Sequence, residues 1–228
     1  MRYAVLTALL VPLVALAHVG LTSPGFANTT QELTFTVGHG CAGLDTQTVR
    51  IQIPAGVTSV RPLSSDFGKV TVEKDGTGAV TAVTYQRNPA DVVLDADPNY
   101  YKFTLRLRLP NKPFTRLYFP TRQTCLAGDG GTPFTDWVNT SGIAPDAGEP
   151  EPAPGLVLVP ARKPGWNKFI VPATGLDDLA AYFGDALIVW KGDEAFSTNP
   201  VTVEQIANTP NVTPLSSVAA GDELWVRY

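Results

Sequence analysis

The residues best placed to do chemistry lie at a short join, Ala15-Leu16-Ala17-His18. Ala15 and Ala17 form the small-residue pattern after which a signal peptidase cuts. The apolar run 3–16, with Arg2 ahead of it, has the make-up of a secretory signal. Cleavage there leaves His18 first in the mature chain, so one residue carries both an α-amine and an imidazole. An α-amine titrates at about 7.7–8.0, so stripping its proton at neutral pH costs only about 1 kcal/mol, against roughly 4–5 kcal/mol for a lysine amine. Two nitrogen donors on one residue suit Cu(II), which favours tetragonal N/O sites and stands highest in the divalent affinity order. The one methionine, Met1, departs with the signal, which leaves nitrogen and oxygen as ligands. The plain alternative is that His18 is an ordinary solvated terminus.

Other reactive groups are few. Cys41 and Cys125 are the only cysteines, and an even count behind a signal reads as a disulfide in an oxidising compartment. The alternative is thiolate ligation with His39-x-Cys41 as a small motif, which a cystine would rule out. On the disulfide reading His39 is a turn or core residue. Acidic residues gather at Asp91, Asp95 and Asp97, either as a polar loop between strands or as a source of a metal-binding carboxylate. No Gly-x-Ser-x-Gly, His-Glu-x-x-His or phosphate-cradling glycine loop is present. A binding protein is therefore expected rather than an enzyme.

Charge and hydropathy narrow the class. The precursor has 228 residues and a formal charge of −4; losing residues 1–17 removes Arg2 and no acid, which gives −5. Such a chain is a poor partner for nucleic acid or an anionic membrane surface. After the signal no apolar run reaches the ~20 residues that span a bilayer.

The elements that must hold these groups read as β up to about residue 160. Leu33, Phe35 and Val37 alternate with polar neighbours, as do Val49, Ile51 and Ile53. Asp75-Gly76-Thr77-Gly78 sits between two alternating runs as a hairpin turn. Phe103, Leu105, Leu107 and Leu109 make an apolar row, with Arg106 and Arg108 on the other face. Prolines 145, 150, 152 and 154 predict a stiff, extended strap. Beyond Arg162 the pattern changes. Leu176, Leu179, Ala180 and Phe183 have helical spacing up to Gly184, 186–190 reads as a buried strand, 202–207 as a second helix and 223–226 as a last strand. The expectation is an all-β protein: an antiparallel β-sandwich, immunoglobulin-like or cupredoxin-like, over 18–160, with a small α+β appendage over 161–228.

Several motifs in order carry a resemblance. These are His18-Val19, Gly38-His39-Gly40-Cys41, Val49-Arg50-Ile51-Gln52-Ile53-Pro54-Ala55-Gly56-Val57, Leu117-Tyr118-Phe119-Pro120-Thr121-Arg122-Gln123-Thr124-Cys125, Trp137 and Glu151-Pro152-Ala153-Pro154. Together they resemble the YcnI-type copper-binding domain family over about residues 18–160. The resemblance implies an extracytoplasmic sandwich that binds Cu(II) through the amine and imidazole of the terminal histidine, here His18. It further implies a tryptophan beside the metal, here Trp137, and a glutamate on a central strand. At that glutamate's place this chain has Lys102, and Phe67-Gly68 stands where the family has Gly-Trp. A cation ~4 Å from one unit of copper charge costs about 4 kcal/mol at an effective dielectric of 20. Lys102 therefore points away, or Asp95, Asp97 or Glu32 supplies the carboxylate, or the site binds copper weakly. Implied partners are the copper ion and other extracytoplasmic copper-handling proteins. Two other readings stand beside this one. One is a structural or protein-binding sandwich with a degenerate copper site, its Trp166, Trp190 and Trp225 offered to a partner. The other is a copper oxidase, which would want a second histidine on the metal when only His39 remains.

Overall fold

The computed structural model describes residues 19–21, 24–141, 149–172, 176 and 178–228. His18 and the first half of the proline strap lie outside these residues. Two short strands, β1 (Gly20–Leu21) and β2 (Gly25–Phe26), precede the longer β3 (Thr30–Val37), β4 (Thr46–Gln52), β5 (Thr58–Pro62), β6 (Lys69–Lys74) and β7 (Val80–Gln86). Then follow β8 (Tyr101–Arg108), β9 (Thr115–Tyr118), β10 (Thr121–Cys125), β11 (Phe134–Asn139), β12 (Glu151–Pro152) and β13 (Gly155–Val159). They form a four-stranded sheet in the order β1-β3-β8-β5, a six-stranded sheet β12-β11-β10-β4-β7-β6, and a small sheet β2-β13-β9.

Period-two alternation explains the sandwich. Leu33, Phe35 and Val37 on β3 and Phe103, Leu105 and Leu107 on β8 turn inward, against Val49, Ile51, Val83 and Tyr85 of the larger sheet. Each such side chain stabilises the fold by about 1.5–3 kcal/mol. Glu32, Lys102, Arg106 and Arg108 take the intervening positions and face solvent. The Asp75 hairpin forms as expected, with Asp75 Oδ1 accepting from the backbone N–H of Thr77 and Ala79. Pairing is antiparallel throughout the main ladders, but β12 runs parallel to β11 and β2 parallel to β13. The described part of the strap thus borders the larger sheet as its edge strand.

Two tethers fix the end of the sandwich where β3 leads into β4. Cys41 and Cys125 are disulfide-bonded, 84 residues apart in sequence. By chain entropy such a link stabilises the folded state by about 4–5 kcal/mol. A Cβ on Gly40 would overlap the Leu44 carbonyl, so the tight turn ahead of Cys41 needs glycine. Beside it, Asp45 is fully buried. Its carboxylate accepts from Arg87 Nη1 at 2.6 Å, the Tyr101 hydroxyl at 2.5 Å and the Val93 N–H at 3.0 Å. The Arg87 guanidinium also lies over the rings of Phe67 and Tyr101.

The remaining chain builds α+β structure. β14 (Trp166–Ile170), α1 (Leu179–Phe183), β15 (Ile188–Lys191), β16 (Glu194–Phe196), α2 (Pro200–Asn208), β17 (Thr213–Pro214) and β18 (Glu223–Arg227) give a sheet ordered β14-β18-β15-β16-β17. Two expectations need correcting. Leu176 does not begin a helix: it bridges to Val218, and α1 starts only after Asp178, whose side chain accepts from the Ala181 N–H. The 186–190 run is not uniformly buried; Val189 on β15 is fully covered while Leu187, just before the strand, is 54 % exposed. The inner face of this sheet joins Leu179, Phe183, Leu215 and Val218 in a second core. Phe114, from the β8–β9 connection, inserts into that core against Phe169, Tyr182 and Phe183.

Burial pushes the Asp45 carboxyl up, but the hydrogen bonds from Tyr101, Val93 and Arg87 outweigh it and hold the carboxyl below its ordinary 3.8. A depressed folded-state value stabilises the protein above the carboxyl's ordinary range, and that stability is lost as pH falls through the folded value. Acid titration followed by circular dichroism should therefore show stability falling below about pH 4. Arg87→Ala, which removes the counter-ion of a buried charge, should cost about 3–5 kcal/mol in urea unfolding at pH 7.

Candidate functional site

Trp137 lies on β11, buried in the main core, opposite Thr121 of β10 on one side and Glu151 of β12 on the other. Its height in the sandwich follows from a cross-link. Gln123 Nε2 donates to the His39 carbonyl at 2.8 Å and so ties β10 to the end of β3. Two residues back along each strand stand Thr121 and Val37. On the larger sheet the neighbour of Thr121 is Trp137. On the smaller sheet, β1 pairs Gly20 with Thr36, so the next step along the register sets Val19 beside Val37. Val19 and Trp137 also share one core cluster. β5 packs against β7 at the far side of the sandwich, which leaves β1 and β11–β12 on the same side. Val19 therefore stands on the side of the sandwich that carries Trp137 and Glu151.

Glu151 has a feature that sequence reasoning missed. Its Oε2 is buried and has no hydrogen-bond partner among the described residues. A carboxylate oxygen taken from water without a donor is costly, and such groups mark strain, catalysis or an absent ion. In the sequence Glu151 sits among prolines as one acid of a strap, and only the parallel pairing of β12 with β11 brings it beside Trp137. A pattern of alternate positions could not reveal that pairing, because β12 is two residues long.

The expected carboxylates, Asp95 and Asp97, each accept from a turn N–H. One oxygen of Asp97 accepts from the Gly40 N–H, and its Oδ1 is buried without a partner among the described residues. Asp95 Oδ1 accepts from the Gly128 N–H at 3.2 Å. Both bind the β7–β8 connection to neighbouring turns. Gly128 lies beyond the Cys125 end of β10, whereas Trp137 pairs near the Thr121 end, four residues or about 13 Å away along the strand. Asp97 precedes β8, on the opposite side of β3 from β1. Asp95 and Asp97 are thus held at the Gly128 and Gly40 turns. Lys102 faces solvent from the outer side of β8, as does Glu32 from β3. His39 is an exposed turn residue whose Nδ1 lies 2.8 Å from the Gly40 carbonyl. Among the described residues no group of three or more His, Cys, Asp and Glu could hold a metal ion.

Comparison with known proteins adds the following. A family model described as "Domain of unknown function (DUF1775)" matches residues 18–158. No curated protein matches the chain. A solved structure of an uncharacterized protein from Nocardia farcinica, described as having an immunoglobulin-like fold, aligns at 21 % identity and a TM-score of 0.49. It covers 62 % of this chain and 99 % of that one.

Replacing Glu151 by Gln should leave the metal-free protein as stable as before or up to about 1 kcal/mol more stable, because a buried oxygen without a donor contributes only its desolvation cost. Urea unfolding in the presence of a chelator measures this; a loss of more than that would make Glu151 a structural residue.

Proposed function

We propose that this chain, which belongs to the DUF1775 family over residues 18–158, is an exported copper-binding protein that carries Cu(II) at its mature N-terminus. Copper is its cargo, and its role is copper trafficking or homeostasis rather than catalysis. Among the members of that family, its ordered motifs ally it with the YcnI-type copper-binding domains. The observation that carries the reading is the buried oxygen of Glu151 on the strand paired with Trp137. His18 supplies the α-amine and imidazole, Glu151 the carboxylate, and the Trp137 indole an apolar wall. Two neutral nitrogens and one anionic oxygen form the hard-to-borderline set that Cu(II) favours. A carboxylate also offsets part of the ion's charge inside the protein, where an unpaired cation is costly. Lys102 does not oppose this, since it stands in solvent on the outer face of the other sheet. An extracytoplasmic location follows from the signal that frees the amine, and other copper-handling proteins of that compartment are the natural partners.

Exported protein should begin at His18 on N-terminal sequencing. It should take up one Cu(II) with nitrogen hyperfine structure in electron paramagnetic resonance. His18→Ala, and a form with one extra residue ahead of His18, should lose more than the about 10–100-fold that removal of an outer-shell partner costs. Glu151→Gln should weaken binding by about tenfold or more. Equal Cu(II) affinities across the wild type and both His18 forms would remove the proposal.

A further inference from the structure

The two faces that the sandwich turns to solvent treat their arginines differently. On the six-stranded sheet, Arg50 of β4 and Arg122 of β10 are direct cross-strand partners. Like charges so placed repel, and here each guanidinium has a carboxylate of its own. Arg50 donates to both oxygens of Glu73 at 2.8 Å, and Arg122 to both oxygens of Asp136 at 2.7 Å. The four-stranded sheet repeats the arginine pair without the acids. Arg61 of β5 is the direct partner of Arg106 of β8, and both are exposed on the outer face. Arg108 and Lys102 share that face, because alternate residues of a strand lie on one side.

None of these four cations enters an ion pair among the described residues. Arg108 Nη2 donates to the side-chain oxygen of Asn28 at 2.7 Å, which steadies the guanidinium without neutralising it. Glu32 of β3 stands opposite Arg106 as the one acid among the described residues of this face, and it is not ion-paired with any of the four. The other outward positions of β3 and β8 hold Thr30, Thr34, Thr36 and Thr104. A chain of formal charge −4 thus collects an excess of cations on one flat face.

The other sheet shows what satisfies such a pair in this fold: carboxylates gripped by both prongs of a guanidinium. Spacing gives the shape of the occupant. Arg106 and Arg108 stand about 6.8 Å apart along β8, the distance between alternate side chains of any extended strand. A segment with acids at every second residue would meet both in register and reach Lys102, about 20 Å from Arg108. The acidic remainder of the chain repels a bilayer or a duplex that overruns the face, whereas a short segment stays within it.

We propose that the outer face of the four-stranded sheet is a docking surface for an acidic, extended segment of a partner protein. Arg61 and Arg106 hold its central carboxylates, and Arg108 and Lys102 lengthen the contact along β8. The surface stands apart from the N-terminal copper reading and does not depend on it.

The probe is a fluorescein-labelled peptide of alternating glutamate and threonine, about eight residues long, which spans the face when extended. Fluorescence anisotropy should show saturable binding in about 0.1 M salt and none in about 1 M, where the Debye length falls to ~3 Å. The same peptide with glutamine for glutamate should not bind. Arg61→Gln combined with Arg106→Gln should weaken binding about tenfold, the scale of losing two exposed ion pairs, with the thermal midpoint unchanged or raised. Arg50→Gln combined with Arg122→Gln removes the same charge from the other sheet and should leave affinity within about twofold. Absence of saturable binding at millimolar peptide overturns the proposal, as does equal binding of the glutamine peptide or equal loss in the two double variants. Failure of the peptide alongside binding of polyphosphate or phosphatidylglycerol vesicles that the Arg61→Gln, Arg106→Gln variant loses would overturn it too, and assign the face to phosphate.

Discussion

A single buried anion organises one end of the sandwich. Asp45 has no contact with water, and its two oxygens are shared among a guanidinium, a phenol and two backbone N–H groups. Those donors come from the start of β4, the residue after β7, the β7–β8 connection and the start of β8, so one carboxylate holds together segments far apart in sequence. Burial alone would neutralise it; the donors keep it charged, and the charge in turn keeps Arg87 between the Phe67 and Tyr101 rings. The same environment lifts the Tyr101 hydroxyl to about 12, which secures it as a donor across the physiological range. The adjacent disulfide adds chain entropy at the same end, so the covalent and the electrostatic tether reinforce each other.

Much of this architecture is legible from alternation. The inward rows of β3 and β8 and the Asp75 hairpin follow from residue types at regular spacing, and the Cys41–Cys125 link from an even cysteine count. The rest depends on contacts between segments far apart in sequence. Asp45 is one acid among many in the chain until Arg87 and Tyr101 are folded against it. Glu151 lies in a proline-rich strap, and its place beside Trp137 comes from a two-residue parallel pairing that leaves no periodic trace. Asp95 and Asp97 look like a ligand cluster in sequence; folded, each accepts from a turn N–H, of Gly128 and Gly40, and Asp97 Oδ1 is left buried without a partner among the described residues. At Leu176 helical spacing gave way to a bridge with Val218, since the tertiary partner outweighs a weak local preference.

The two cores use their sheets differently. In the sandwich, sheets face each other and the outer sides carry Glu32, Lys102, Arg106 and Arg108. In the C-terminal unit the inner face of the sheet packs on α1, and the outer side carries Trp166 and Trp225 beside Lys168, Glu223 and Arg227. Small units of this size bury little surface on their own and gain from a neighbour. Here the neighbour is the sandwich: α1 packs against β13, and Arg162 binds Asp185 while its guanidinium lies 4.1 Å from the Tyr228 ring centroid and 4.9 Å from that of Phe26.

Phe114 gives that arrangement a mechanical consequence. It belongs to the loop between β8 and β9, its backbone N–H is bound to Leu158 of β13, and its ring completes the aromatic cluster of the C-terminal unit. A ring shared in this way acts as a dowel between the two bodies. Torque applied to the aromatic face would pass through the Phe114 loop into β13, and from there into β9, instead of being absorbed by a slack tether.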